Sequence, residues 1–211
     1  MTSSNKLLVY CVAEGSPQLT DLRGLEDEPV RQVELQGLVL LYSDFSTARP
    51  LNQADALRFH AALRSVFDQQ AIIPFRFPTF LESEAELKSH LQQNHAKYAD
   101  DLARLREFVQ MEVRISAVRE NNAPSSGKEY LEGKLQQSRS LQEAVRAIRD
   151  PVADLTTDCK ERQTDQGVRL FTLTKRPDVA AFRERISRSQ PSTGFTIAVS
   201  GPWPATEFFH E

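Results

Sequence analysis

The sequence predicts an α+β protein of two layered domains, and three patterns predict it. Strand, short helix, hairpin, helix and strand follow one another before residue 82; apolar and polar residues alternate over 109–117; and an apolar stripe at helical spacing runs from 131 to 159.

The stretch "KLLVYCV" at 6–12 is apolar on both parities, the pattern of a central strand covered on both faces. Turn residues then bracket Leu19, Leu22 and Leu25, whose three-residue spacing predicts a short helix. "VRQVELQGLVLLYSDF" at 30–45 reads as two strands joined at Gln36-Gly37, where glycine accepts the positive φ of a tight hairpin turn. Asn52 caps the next helix, which aligns Ala56, Phe59, Leu63 and Val66/Phe67 on one stripe. "IIPFRFPTF" at 72–80 closes the unit as a strand. In extended backbone Ile73, Phe75 and Phe77 share the inward face, and Arg76 takes the other. The resulting βαββαβ order is that of an N-terminal ferredoxin-like domain over residues 1–82.

The second α+β domain, 83–211, opens with a connecting helix, about 83–107, on whose face lie Leu87, Leu91, Tyr98, Leu102 and Leu105. Val109, Met111, Val113, Ile115 and Ala117 then alternate with Gln110, Glu112, Arg114 and Ser116, which predicts a half-buried strand. After the polar loop "ENNAPSSGK" comes a long helix carrying Leu131, Leu135, Leu141, Val145, Ile148, Val152, Leu155 and Cys159, kinked or restarted at Pro151. "GVRLFTLTK" is a strand, "RPDVAAFRERISRS" a proline-started helix with Val179, Phe182 and Ile186 inward, and "GFTIAVSGPWP" a last strand. The sheet these strands build is antiparallel or mixed.

Hydrophobic content of 40% and charged content of 26% over 211 residues describe an ordinary globular chain. A net charge of −3 gives no global field to attract nucleic acid or anionic lipid. Nowhere do about 18 apolar residues run together, as a membrane span requires. The apolar run 7–12 is too short for an export signal, so the chain is expected in the cytoplasm. Cys11 and Cys159, with no CxxC or Cys/His cluster, read as two buried thiols of a reducing compartment.

Catalytic patterns are missing from the sequence. It holds no GxxxxGK[ST] or GxGxxG loop to cradle a phosphate and no GxSxG elbow. On a helix His90 and His95 project about 140° apart, unlike an i, i+4 pair that shares a metal. No catalytic residue, cofactor or metal ligand is therefore expected. His60 reads as a boundary histidine, and the acidic residues Glu82, Glu84 and Glu86 suit a helix start. Arg183, Arg185 and Arg188 lack interleaved aromatics and read as a solvated helix face, not a nucleic-acid site. Trp203, held between Pro202 and Pro204, is a candidate anchor for a partner surface.

Three stretches carry a resemblance: "IIPFRFPTF", "SGKEYL" at 126–131 and "SGPWPATEFF" at 200–209. In their order and spacing the chain resembles the gas vesicle protein F/L (GvpF/GvpL) family. That family has a proline-phenylalanine-arginine-phenylalanine strand followed by a glycine and a threonine, a Ser-Gly-Arg-x-Tyr-Leu segment and a terminal Gly-Pro-Trp-Pro. Pro78 stands where the family usually has glycine, and Lys128 where it usually has arginine. The resemblance implies a non-enzymatic accessory protein of gas vesicle formation, cytoplasmic or vesicle-associated. It further implies contact with the small, very hydrophobic major shell protein during assembly, with other vesicle accessory proteins as further candidate partners. Phe75, Arg76, Phe77, Tyr130 and Trp203 are the candidate structural or partner-contact residues. As a scaffold residue, Arg76 is expected to be an interdomain strut bonded to acidic side chains or carbonyls. The alternative is an interaction or ligand-binding module unrelated to gas vesicles, with an interdomain pocket where Arg76 hooks an anion.

Overall fold

Every side chain of the apolar run from Leu7 to Ala13 is buried in the computed structural model, which describes residues 5–46, 49–118, 126–189 and 194–210. The run forms β1 (Asn5–Glu14), an inner strand of an antiparallel sheet. Its companions are β2 (Arg31–Leu35), β3 (Leu38–Ser46), β4 (Ile72–Pro74) and β5 (Phe80–Leu81), in the order β2-β3-β1-β4 with β5 also pairing β1. The β2–β3 hairpin closes on Gln36 and Gly37, both left-handed at φ 50° and 84°, as a tight primed turn requires.

The β1–β3 register slips at Tyr10, between the pairs Val9↔Tyr42 and Cys11↔Leu41. A bulge of this kind changes the parity of the strand. Leu7, Val9 and Val12 accordingly share one core with Leu38, Leu40 and Tyr42, roofed by Leu87, Leu91 and Leu102 of α2 (Glu84–Leu105). Tyr10 faces the other way and stacks on Phe59 of α1 (Gln53–Phe67), centroid to centroid 5.0 Å. The two helices thus cover opposite faces of the sheet. Asn52 caps α1 as expected, in a capping box completed by Asp55.

This unit departs from a ferredoxin-like sandwich in two respects. Its helices do not share one face, and the helix expected between the first two strands is a loop with a single 3-10 turn, Leu25–Asp27. Asp21, Glu26 and Asp27 take positive φ there, so a continuous helix is broken at three positions. The expected strand 72–80 is also interrupted. β4 ends at Pro74, the backbone loops out through 75–79, and β5 resumes beside Leu7 and Leu8.

The second unit has β6 (Phe108–Ala117), α3 (Gly127–Arg149), β7 (Thr156–Thr164), β8 (Gly167–Lys175), α4 (Val179–Arg188) and β9 (Phe195–Trp203). The strands pair antiparallel in the order β7-β8-β6-β9. Met111, Val113 and Ile115 of β6 meet Val168 and Leu170 of β8, Val145 and Ile148 of α3, and Phe182 and Ile186 of α4 in one core.

Three expectations are corrected in this unit. The long helix stops at Arg149; a 3-10 turn with Pro151 near its start follows, and Cys159 lies half-buried on β7. Proline has no N–H to continue the helical ladder, and β7 is an edge strand whose charged sequence masks it. Leu131 and Leu135, expected on the buried stripe of α3, are 63% and 62% exposed. Gln110 and Glu112, the polar positions of the half-buried strand expected at 109–117, are buried as well.

Packing divides the chain into residues Met1–Glu107 with Phe209–Glu211, and Phe108–Phe208. The boundary falls after Glu107 and not near residue 82, because α2 is not a connector. It buries its apolar stripe on β1, β2 and β3. Among the described residues no helix is long and apolar enough to cross a membrane.

Candidate functional site

The loop at 75–79 is held to the bulged strand by backbone bonds on both sides. Phe75 N donates to Tyr10 O at 2.9 Å, Val9 N donates to Thr79 O at 2.9 Å, and Thr79 Oγ1 donates to Arg76 O at 2.7 Å. Because the strand is broken here, Phe75 and Phe77 do not share a face. Phe75 packs on the α2 side, 5.5 Å from the His90 ring, while Phe77 packs 5.1 Å from Phe59 on the α1 side. Arg76 is exposed, and its guanidinium makes no hydrogen bond or ion pair among the described residues. The buried strut expected there is not what its surroundings build.

The groups beneath the loop are satisfied structural ones. Tyr10 OH hydrogen-bonds Ser43 Oγ at 2.9 Å and accepts from Leu25 N at 3.3 Å; burial raises its pKa, so it stays a neutral phenol. A 2.8 Å hydrogen bond links His90 Nε2 and Tyr98 OH, and burial lowers the histidine pKa, leaving a neutral ring at pH 7. Burial pushes the Cys11 thiol far up and the Cys159 thiol up as well. Neither is set up as a thiolate nucleophile. His60 is exposed, its ring edge on Phe59.

The sequence reading missed Asp55, whose signal was its place three residues after the Asn52 cap. It is buried at the foot of α1, receives Arg49 Nη1 at 2.6 Å and Nη2 at 2.8 Å, and accepts Asn52 N at 2.9 Å. Hydrogen bonding from Arg49 holds its carboxyl at about 2, below the ordinary 3.8. A carboxylate depressed in the folded state adds stability above its unfolded pKa and loses it as pH falls through the folded one. Thermal melts from pH 7 down to pH 2 should therefore show wild type more stable than Asp55→Asn at neutral pH. The gap should close between 3.8 and about 2; a gap that is constant over that window would contradict the pairing.

In the second unit charged groups gather on the sheet face turned away from the core. Arg169 Nε donates to Glu112 Oε1 at 2.8 Å, and this bond is the main reason the Glu112 carboxyl lies below its usual range. Arg162 Nη2 donates to Glu207 Oε2 at 2.7 Å, Lys160 Nζ donates to Glu207 O at 2.6 Å, and Glu207 N donates to Gln110 Oε1 at 3.0 Å. The Arg162 and Arg169 guanidiniums lie 5.3 and 4.9 Å from the Phe171 ring centroid. Gln110 is buried where it accepts from Glu207 N, and Glu112 where it pairs with Arg169. These acids and bases are paired with each other. Among the described residues no cluster of three or more His, Cys, Asp or Glu is placed to hold a metal.

Trp203 ends β9, 46% exposed, with Nε1 donating to Ser200 Oγ at 3.3 Å. Tyr130 lies in the first turn of α3, and its side chain is outside the described residues. Phe75, Arg76 and Phe77 thus fall in the first unit, and Tyr130 and Trp203 in the second. Phe75 and Phe77 pack on different partners and Arg76 is exposed between them, so these three build no single constellation. Among the described residues, Leu57, Val118, Leu131, Leu135 and Trp203 are the large apolar side chains left exposed.

Comparison with known proteins agrees with the fold. The family model described as "Gas vesicle synthesis protein GvpL/GvpF" matches residues 6–210. The crystal structure of the gas vesicle protein GvpF from Anabaena sp. PCC7120 is similar with a TM-score of 0.82 at 15% identity, covering 99% of each chain. That of GvpF from Microcystis aeruginosa is similar with a TM-score of 0.78 at 17% identity, covering 97% of this chain and 98% of the other. No curated protein matches the sequence.

Proposed function

Because the chain belongs to the gas vesicle synthesis protein GvpL/GvpF family, we propose that it is a non-enzymatic accessory protein of gas vesicle formation that binds the major shell protein during assembly in the cytoplasm. The observation that carries this reading is the family match from residue 6 to residue 210, which spans both packing units. Paired charges, protonated thiols and a half-exposed Trp203 support a recognition role over a catalytic one. In this reading Phe75 and Phe77 are scaffold, pinning the 75–79 loop to opposite sides of the first sheet, and exposed Arg76 is free for a partner.

The test is co-expression with the cognate shell protein. The shell protein is expected to be retained on the tagged chain and the vesicle yield to fall when the gene is deleted. Absence of both effects would remove the reading.

A further inference from the structure

The edges of the two sheets are not equally protected. β2 carries Arg31 and Glu34, and β7 carries Asp158, Lys160, Glu161 and Arg162. Charges of this kind discourage pairing with a further strand. β4 and β5 are only three and two residues long. β9, by contrast, runs nine residues, "FTIAVSGPW", without a charge on either face.

The pairing of β9 with β6 determines which of its backbone groups are open. Val118 N donates to Gly194 O at 2.8 Å, and antiparallel partners alternate between bonded and non-bonded pairs. Stepping by two along the register makes Thr196↔Ser116, Ala198↔Arg114 and Ser200↔Glu112 the bonded pairs. The N–H and C=O groups of Phe195, Ile197 and Val199 therefore point away from β6, and among the described residues β9 has no strand beyond it. No backbone hydrogen bond reaches those groups among the described residues. The three side chains are only partly buried, along the rim of the second core. Arg183 donates to Gly201 O, so the open stretch ends there.

We propose that this edge is where the shell protein docks, adding an uncharged extended segment to the sheet as a further strand; the proposal rests on the reading that the chain binds that protein. The edge selects its occupant by charge. A segment bearing Lys, Arg, Asp or Glu finds no counter-charge on β9. An uncharged strand with β-branched or aromatic residues at alternate positions fills the outward N–H and C=O groups and covers Phe195, Ile197 and Val199.

Proline is tolerated on an edge strand where its missing N–H faces outward, so Ile197→Pro deletes one docking donor and spares the bonds to β6. Thr196→Lys keeps every backbone group and adds a charge at an exposed position. Shell protein retained in co-expression pull-down should fall at least about tenfold in either variant, with circular dichroism unchanged. Amide exchange at Phe195, Ile197 and Val199 should slow in the wild-type complex. If the wild type binds and both variants bind equally well, the edge is wrong and the shell-protein reading stands. If the wild type does not bind at all, both fall. A dimer seen by light scattering and lost in Ile197→Pro, with shell binding intact, would assign the edge to a second copy of this chain and overturn the proposal.

Discussion

Replacing Phe59 with alanine is expected to destabilise the first unit by about 3–5 kcal/mol, as deletion of a fully buried aromatic does when its site cannot collapse. Phe59 is 0% exposed, stacked on Tyr10 at 5.0 Å and in contact with Phe77 at 5.1 Å. Both neighbours are anchored from elsewhere. Tyr10 is fixed by its hydroxyl to Ser43 and Leu25, and Phe77 by the backbone bonds that pin the 75–79 loop. The ring's removal therefore leaves a cavity and no relaxed wall. Urea denaturation should show a lower midpoint at unchanged slope, the signature of lost stability without lost compactness.

A double-mutant cycle with Phe77→Ala checks the parity of the loop at the same time. If Phe77 packs on Phe59, the pair should be coupled by about 0.5–1.5 kcal/mol, the range for aromatic contacts beyond their buried area. Phe75 lies on the other face against His90, so Phe75→Ala should be additive with Phe59→Ala. Equal coupling of Phe59 to both phenylalanines would mean that 72–80 is a regular strand after all.

That loop shows why part of the fold was legible and part was not. The capped helix α1, the Gln36-Gly37 hairpin, the alternating β6 and the proline-started α4 each announce themselves through residues a few positions apart. The bulge at Tyr10 does not, because a strand that is apolar at every position looks the same before and after a parity change. β7 hides for the opposite reason: "TTDCKERQT" has no apolar alternation, since an edge strand turned largely to water needs none. Helical spacing put Leu131 and Leu135 on the same stripe as Ile148, but spacing records only which residues share a face and not whether the chain supplies something to cover it. The half-exposed place of Trp203 at the end of β9 was legible from its flanking prolines. The surroundings of Arg76 were not, because they depend on where a strand breaks.

Gly201→Ala is expected to destabilise the second unit by at least about 2 kcal/mol, through strain and close packing together. Between the pairs Gln110↔Trp203 and Glu112↔Ser200, β9 has two residues where β6 has one, so Gly201 sits in a bulge. Its φ of 108° lies where side chains are rarely accommodated. A Cβ would stand 2.8 Å from Gln110 O and 3.3 Å from Met111 Cα, backbone atoms of an inner strand that cannot swing aside. The strand end must shift instead, and Trp203 is two residues on. As the only tryptophan of the chain, it reports the shift directly: its fluorescence should change at neutral pH before any unfolding, alongside the lowered denaturation midpoint. Gly133→Ala is the control. That glycine lies within α3 with nothing inside 4 Å of a new Cβ, so alanine should be neutral or stabilising by up to about 1 kcal/mol. If Gly201→Ala behaves like Gly133→Ala, with Trp203 emission unmoved, then the bulge does not hold the end of β9 in place.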